Sequence, residues 1–143
     1  MRMRDIEIAR KRLKENNLSL VIVKDGEVIF ESRLQGLIGL IQAIDSLGER
    51  LSSSSVADKI VGRAAALLLI YSHASDVYAT TISLDGLNLL IKSGIRVEYD
   101  NLISRIMNRR GDDICPFEKA SLMVASPEEA YRRLRDVLSE HLF

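Results

Sequence analysis

The fold is decided by one continuous stretch, Ser55-Val56-Ala57-Asp58-Lys59-Ile60-Val61-Gly62-Arg63, which runs directly into Ala64-Ala65-Ala66-Leu67-Leu68-Leu69-Ile70. The first part is polar and charged, whereas the second is apolar on every side of a helix. A helix that is apolar all round is buried in a protein core. We predict that Ser55 and Asp58 form a capping box and that the helix they open runs to about residue 72.

The overall composition indicates one soluble globular domain, which we place at residues 1–143. The chain has 20 Lys and Arg residues against 20 Asp and Glu residues, so its formal net charge is zero. Without a surplus of positive charge there is no electrostatic argument for binding nucleic acid or an anionic membrane. Basic residues do gather in residues 1–14, but Asp5 and Glu7 lie among them, which favours a solvated helix face.

The sequence also indicates a cellular location. No apolar run approaches the roughly 20 residues of a membrane span, and residues 1–15 are too charged for a signal peptide. The single cysteine, Cys115, cannot form an internal disulfide, which is typical of a reducing compartment. We therefore expect a cytoplasmic protein.

Strand and helix patterns alternate along the chain. Residues 18–24 and 27–32 read as strands joined by an Asp25-Gly26 hairpin turn. An amphipathic helix follows at 34–51, and after the central stretch come a strand at 76–83, a helix at 84–93 and a short strand at 96–99. Proline at 116 and a capping box at Ser126 start two further helices. This order predicts an α/β fold, a three-layer α/β/α sandwich with a mixed sheet.

Two motifs carry a resemblance to a known family. Asp58-Lys59-Ile60-Val61-Gly62-Arg63-Ala64-Ala65-Ala66-Leu67-Leu68, with Cys115-Pro116-Phe117-Glu118 downstream, is similar to a prokaryotic domain-of-unknown-function family of the cytidine-deaminase-like superfamily. The resemblance covers nearly the whole chain. It implies a deaminase-like fold and a pocket at the start of the buried helix, but it does not by itself imply the chemistry.

The zinc chemistry of that superfamily is not encoded here. Zinc deaminases need His-x-Glu at the start of the buried helix and Pro-Cys-x-x-Cys at the start of the next helix. This chain has Asp58 and Lys59 at the first position, and Ser83-Leu84-Asp85-Gly86 at the second. We therefore predict no zinc deaminase activity, no metal and no cofactor.

The candidate ligand-binding residues are those of the two motifs. A degenerate deaminase pocket would bind a small polar or nucleotide-like molecule through backbone N–H groups and cationic side chains at a helix start, with Gly62 allowing close approach. The competing interpretation makes Asp58 a cap, Gly62 a packing contact and the cations solvated. The predicted set is Asp58, Lys59, Gly62, Arg63 and Glu118.

Two other functions stay open. Cys115 is a candidate nucleophile for an enzyme of another class, because a helix start and nearby Arg109 and Arg110 would favour its thiolate. Against this, a half-buried structural cysteine is the commoner case, and the spacing nominates no general base. The third function is a structural or assembly subunit, with a homo-oligomer formed through the apolar stripe of residues 37–47, although such a stripe more often packs in a core.

Overall fold

The computed structural model describes residues 3–35 and 37–142, so the predicted domain, 1–143, extends slightly beyond the described residues. Within them, the elements follow the alternation expected from the sequence. They are α1 (Asp5–Glu15), β1 (Leu20–Lys24), β2 (Glu27–Ser32), α2 (Ile38–Leu47), a 3-10 helix (Gly48–Leu51), β3 (Ser55–Val61), α3 (Arg63–Tyr71), β4 (Asp76–Ser83), α4 (Leu84–Lys92), β5 (Arg96–Ile103), α5 (Pro116–Ser121) and α6 (Pro127–Leu142).

The sheet is mixed, in the order β2-β1-β3-β4-β5. The hairpin of β1 and β2 is antiparallel and closes through Asp25 and Gly26, whose φ angles of 52° and 81° fit the tight turn predicted from Asp-Gly. β1 also pairs antiparallel with β3, whereas β3, β4 and β5 are parallel. Each parallel pair is joined by a helix, which brings the carboxyl ends of three strands to one edge of the sheet.

Helices cover both faces of the sheet. On one face α1 packs against β1 and β3, where its Ile6, Ala9 and Leu13 are buried. The other helices form a second layer, and the main core between it and the sheet is built on α2 and α3, together with the inner face of α6. The predicted three-layer α/β/α sandwich with a mixed sheet is confirmed.

The prediction for the central stretch was wrong in one respect. Residues 55–61 form β3, the middle strand of the sheet, and the helix begins only at Arg63. Ser55 and Asp58 are therefore not a capping box. The β-branched residues Val56, Ile60 and Val61 fit a strand, and pairing with β1 and β4 on both sides outweighs the local capping signal.

The apolar helix itself is as buried as its sequence predicted. Between Ala64 and Leu69 every residue of α3 is buried in the main core. The stripe of α2 joins the same core, since Leu37, Leu40, Ile41 and Ile44 are all buried. The predicted helix at 34–51 is shorter than expected, because Gly48, with φ at 50°, ends it and a 3-10 turn follows.

Three of the four basic residues of α1, Arg10, Arg12 and Lys14, are paired with carboxylates of the sheet. Arg12 Nε lies 2.6 Å from Glu31 on β2, and Lys14 Nζ lies 3.0 Å from Asp100 on β5. Asp100 also accepts a hydrogen bond from the buried Tyr78 hydroxyl at 2.6 Å. Most of the positive charge of α1 is thus paired with the protein's own carboxylates.

Candidate functional site: the start of helix α3

The helices α3 and α4 begin side by side at the carboxyl ends of β3 and β4. Gly62 precedes α3 and Ser83 precedes α4, where the Ser83 hydroxyl accepts a hydrogen bond from Gly86 N at 3.1 Å. The two helix starts are so close that a Cβ on Gly86 would lie 2.9 Å from the Gly62 carbonyl oxygen. Crevices outside the carboxyl ends of parallel strands are where α/β proteins place their ligands.

The start of α3 is capped by a side chain from another helix. Glu118, on α5, accepts hydrogen bonds from Arg63 N at 2.8 Å and from Ala64 N at 2.7 Å, one with each carboxylate oxygen. Gly62 has no side chain to serve as the cap, and a carboxylate is favoured at the positive end of the helix dipole. Glu118 therefore occupies the position that an anionic ligand would take at this helix start.

Gly62 is required by this arrangement. A Cβ at this position would overlap the Glu118 carboxylate and lie 2.7 Å from Ile106 Cγ1. The close approach is thus made by a side chain of the protein itself, which is the packing interpretation of Gly62 and not the approach of a ligand.

A small cavity lies beside the capped helix start. Its volume is about 170 Å³. It is open to solvent on the side of residues 104–105 and closed beneath by buried Ser83 and Glu118. Its polar lining contains both hydrogen-bond donors and acceptors: Arg63, Ser83, Asp85, Ser104, Arg105 and Glu118.

Burial sets the protonation of Glu118. Removal from water raises the pKa of its carboxyl, and the hydrogen bonds from Ala64 N and Arg63 N oppose that rise because they favour the charged form. Asp85 raises the pKa further through charge repulsion, and Arg63 lowers it. The carboxyl is thus more readily protonated than a solvated glutamate.

The structure brings together three of the five predicted binding residues. Gly62, Arg63 and Glu118 meet at the start of α3, where Arg63 Nε also donates to the Ser121 carbonyl at 3.2 Å. Asp58 and Lys59 were predicted on the first turn of the helix and lie instead within β3, outside the lining of the cavity. Their displacement follows from the strand that replaces the predicted helix start.

Asp58 is nevertheless an unusual residue. It is 7% exposed on a central strand, between Leu20 of β1 and Ala79 of β4. Burial raises its pKa to about 7, against weak opposition from the backbone N–H groups of Ile60 and Lys59. Lys59, by contrast, is exposed.

Cys115 directly precedes α5 and is half-buried. Its backbone N–H donates to the Ile106 carbonyl at 3.0 Å, but its side chain does not line the cavity. The two arginines expected to favour its thiolate are engaged elsewhere: Arg109 donates to Gln35 at 2.7 Å, and Arg110 lies 3.8 Å from Asp112. The role of Cys115 stays a prediction.

Comparison with known proteins identifies the family. The model of the family TM1506, a domain of unknown function (DUF1893), matches residues 8–138. The chain belongs to the DUF1893 family. A DUF1893 family protein from Thermotoga maritima is 32% identical and superposes with a TM-score of 0.82, over 98% of this chain and 92% of that one. The resemblance inferred from the two motifs is confirmed.

More distant structures share the fold of this DUF1893 protein. The dCMP deaminase of the cyanophage S-TIM5 is 14% identical with a TM-score of 0.51, over 71% of this chain and 100% of that one. A diaminohydroxyphosphoribosylaminopyrimidine deaminase/5-amino-6-(5-phosphoribosylamino)uracil reductase from Thermotoga maritima is 19% identical with a TM-score of 0.52. The alignment covers 80% of this chain but 40% of that enzyme. No curated protein matches the chain.

The residues at the two helix starts do not fit zinc. Protein zinc sites use imidazole nitrogens and thiolates, joined by carboxylates in smaller number. Here α3 begins with Gly62-Arg63-Ala64 and α4 with Ser83-Leu84-Asp85, which supply neither imidazole nor thiolate. Within residues 3–35 and 37–142, no three His, Cys, Asp or Glu side chains are grouped so as to hold a metal ion.

Among the helices of the described residues, none is both long and apolar enough to cross a bilayer.

The sequence interpretation missed part of the cavity wall. Ser104 and Arg105 follow β5 in a segment with no clear apolar period. Ser83 and Asp85 were considered only as positions near which a zinc deaminase would have cysteines. A signal for Ser83 and Asp85 was present, since they lie where a predicted parallel strand meets a helix. Arg105 had no such signal, because β5 was predicted to end at residue 99 and runs four residues further, to Ile103.

Proposed function

We propose that this DUF1893 protein binds a small polar molecule, about the size of a single heterocyclic ring, in the cavity between the starts of α3 and α4, without zinc deaminase chemistry. The observation that carries the proposal is the cavity itself, with donors and acceptors converging at the carboxyl ends of three parallel strands.

The size of the cavity restricts the ligand. Its volume of about 170 Å³ is below the roughly 300–1,000 Å³ of pockets for drug-sized molecules. A nucleobase-sized ring is therefore a better candidate than a whole nucleotide.

The lining suits a ring with both donors and acceptors. Arg105 and the remaining N–H groups of Arg63 can donate hydrogen bonds, and the Asp85 carboxylate can accept them. Two cationic and two acidic side chains nearly balance, which favours a neutral ring over a strongly charged ligand. Glu118 is already bound to the α3 backbone, so in this proposal it forms the floor of the site.

Two experiments test the proposal. Native mass spectrometry of freshly purified protein, repeated after denaturation, detects a bound ring compound. A ¹H–¹⁵N NMR titration with cytosine and uracil measures binding directly. We expect shifts of the Arg63, Asp85 and Ser104 amides.

Arg105→Ala should weaken binding about tenfold, the effect of removing a charged hydrogen-bond donor. Arg132→Ala, at an exposed position of α6, should leave binding unchanged. A purified protein that carries no bound compound and shows no amide shifts with either base would contradict the proposal.

The other functions named from the sequence are weaker candidates. The apolar stripe of α2 that was considered for an assembly face is mostly buried in the protein's own core. Enzymatic use of Cys115 would have to occur outside the cavity, because the thiol does not line it. A cytoplasmic location is part of this proposal and rests on the single cysteine.

A further inference from the structure

The opposite end of α3 opens into a second, larger cleft. It lies between the carboxyl ends of α2 and α3 and the side of α6, and its volume is about 900 Å³. That volume is within the range of ligand pockets. The side chains used in the argument below are Asp45, Glu49, Tyr71, His73, Tyr131 and Arg135.

One wall of the cleft is a pair of stacked tyrosines. The rings of Tyr71, at the end of α3, and Tyr131, on α6, are 4.9 Å apart between centroids and inclined by 15°. The Tyr131 hydroxyl donates a hydrogen bond to Asp45 of α2, and Arg135 Nη2 lies 3.3 Å from the other carboxylate oxygen of Asp45. Three helices thus fix this aromatic wall in place before any ligand binds.

Burial and the neighbouring carboxylate keep the tyrosine protonated. The pKa of Tyr131 is raised to about 12, first by burial and then by its hydrogen bond to Asp45. The phenol therefore remains a donor at neutral pH, and Asp45 is fully engaged with Tyr131 and Arg135.

The charge that remains in the cleft is negative. Arg135 neutralises Asp45, but Glu49 is exposed and has no ion-pair partner within 4.0 Å among the residues the structure describes. Both α2 and α3 direct their carboxyl ends at the cleft. Because the N–H groups of Ser72, His73 and Ala74 already satisfy the last carbonyls of α3, Glu49 is the main negative charge left for a ligand. His73, also part of the lining, is exposed.

From this combination we propose that the cleft binds a small organic cation, an ammonium or guanidinium group paired with Glu49, whose apolar body lies along Tyr71 and Tyr131. Arg135 already lies over the Tyr131 ring, with its Cζ 5.6 Å from the ring centroid, and the two tyrosine rings stack on each other. The tyrosines therefore supply apolar cover for the methylene groups of the ligand, and Glu49 supplies the charge. This site is at the other end of α3 from the cavity of the proposed function and does not depend on it.

The experiment uses ¹⁵N-labelled full-length protein at neutral pH and low salt, with agmatine as the probe and N-butylurea as an uncharged analogue. We expect agmatine to shift the amides of Glu49, His73 and Tyr131, and N-butylurea to leave them in place. Higher salt should weaken agmatine binding, since a surface charge pair is screened.

Variants separate a built site from general attraction to acidic surface. Glu49→Gln should weaken agmatine about tenfold, and Tyr71→Leu should weaken it severalfold through loss of the aromatic wall. Glu27→Gln, an equal change of charge on the β1–β2 hairpin, should have no effect. Equal effects of Glu49→Gln and Glu27→Gln, equal binding of N-butylurea, or no shifts at all would overturn the proposal.

A second arm identifies the source of the cation. A capped Gly-Arg-Gly peptide carries the same guanidinium on a polypeptide. Tighter binding of this peptide than of agmatine would assign the cleft to an arginine of a partner protein, whereas tighter binding of agmatine would assign it to a free amine. Both results support the cation site.

Discussion

The two ends of α3 differ in what satisfies the helix. At the amino end, the protein's own Glu118 carboxylate fills the position of an anion and leaves a cavity of about 170 Å³ beside it. At the carboxyl end, an open cleft of about 900 Å³ is walled by Tyr71 and Tyr131, and Glu49 is unpaired among the described residues. The amino end is thus capped by a side chain from another helix. The carboxyl end is closed by the residues that follow it, since the N–H groups of Ser72, His73 and Ala74 donate to the last carbonyls of α3, and the cleft opens beyond that turn.

This difference explains why likeness to deaminases is a poor guide to chemistry in this chain. In the deaminase-like fold the starts of two helices hold the catalytic zinc. In this DUF1893 protein one of these starts is held by Glu118 and the other by Ser83, and both of these side chains are at least nine-tenths buried. The residues at this end maintain the packing of α3, α4 and α5, and what remains for a ligand is the small cavity at their edge.

The largest effect should come from removing the cap. Glu118→Ala deletes two charge-assisted hydrogen bonds and leaves the N–H groups of Arg63 and Ala64 without a partner. We expect the free energy of unfolding to fall by about 4 kcal/mol in urea denaturation. Glu140→Ala, at an exposed position of α6, is the matched control and should change it by less than about 0.5 kcal/mol. A loss below about 1 kcal/mol for Glu118→Ala would mean that the carboxylate does not hold the helix start.

Gly62→Ala tests the same contact from the other side. Its Cβ would overlap the Glu118 carboxylate, so the substitution should cost about 3 kcal/mol. Because both substitutions break one contact, the double variant with Glu118→Ala should cost markedly less than the sum of the two single effects. If the two losses of unfolding free energy, measured by urea denaturation, were additive, Gly62 and Glu118 would not share a contact.

The buried Asp58 on the strand that leads into α3 should make stability depend on pH. Its pKa is raised to about 7 in the folded protein, so the unfolded chain loses this proton first as the pH rises. The stabilising contribution of the protonated Asp58 carboxyl is fully present below about pH 4 and is lost as the pH rises through about 7, by about 4 kcal/mol in total.

Asp58→Asn should remove this dependence. Chemical denaturation of both proteins between pH 4 and pH 8 measures the difference, and we expect the stability of the variant relative to the wild type to increase over that interval. Parallel curves for the two proteins would contradict a raised pKa at Asp58.

The smallest expected effect is at the open end. Tyr131→Phe removes the hydrogen bond to Asp45 but keeps the ring stacked on Tyr71, so it should lower the free energy of unfolding by about 1 kcal/mol. Thermal unfolding measures the change, with Tyr99→Phe on the exposed edge strand as the control. A loss as large as that of Glu118→Ala would mean that both ends of α3 are structural.

The sequence was sufficient for most of the fold and for part of the site. Asp25-Gly26 predicted the hairpin, and the apolar residues 64–69 predicted the buried helix, because each signal is local. The central strand β3 was missed, since Ser55 and Asp58 imitate a capping box while the pairing that makes residues 55–61 a strand comes from distant β1 and β4. Glu118 was included among the predicted binding residues because it lies in the Cys115-Pro116-Phe117-Glu118 motif. Its contact with Arg63, 55 residues away in the sequence, is visible only in the structure.

The cleft at the carboxyl end of α3 was not predicted. Its walls come from α2, α3 and α6, which are far apart in the chain, and neither Tyr71 nor Tyr131 lies in a motif. A site built by tertiary packing leaves no spacing signal in a single sequence.

The most direct test of the difference between the two ends is one ¹H–¹⁵N NMR titration series on a single labelled sample, with cytosine added first and agmatine second. We expect cytosine to shift the amides of Arg63, Asp85 and Ser104, and agmatine to shift those of Glu49, His73 and Tyr131. Shifts by both compounds at the same end, or by neither compound at either end, would contradict the assignment of two chemically distinct sites to the two ends of α3.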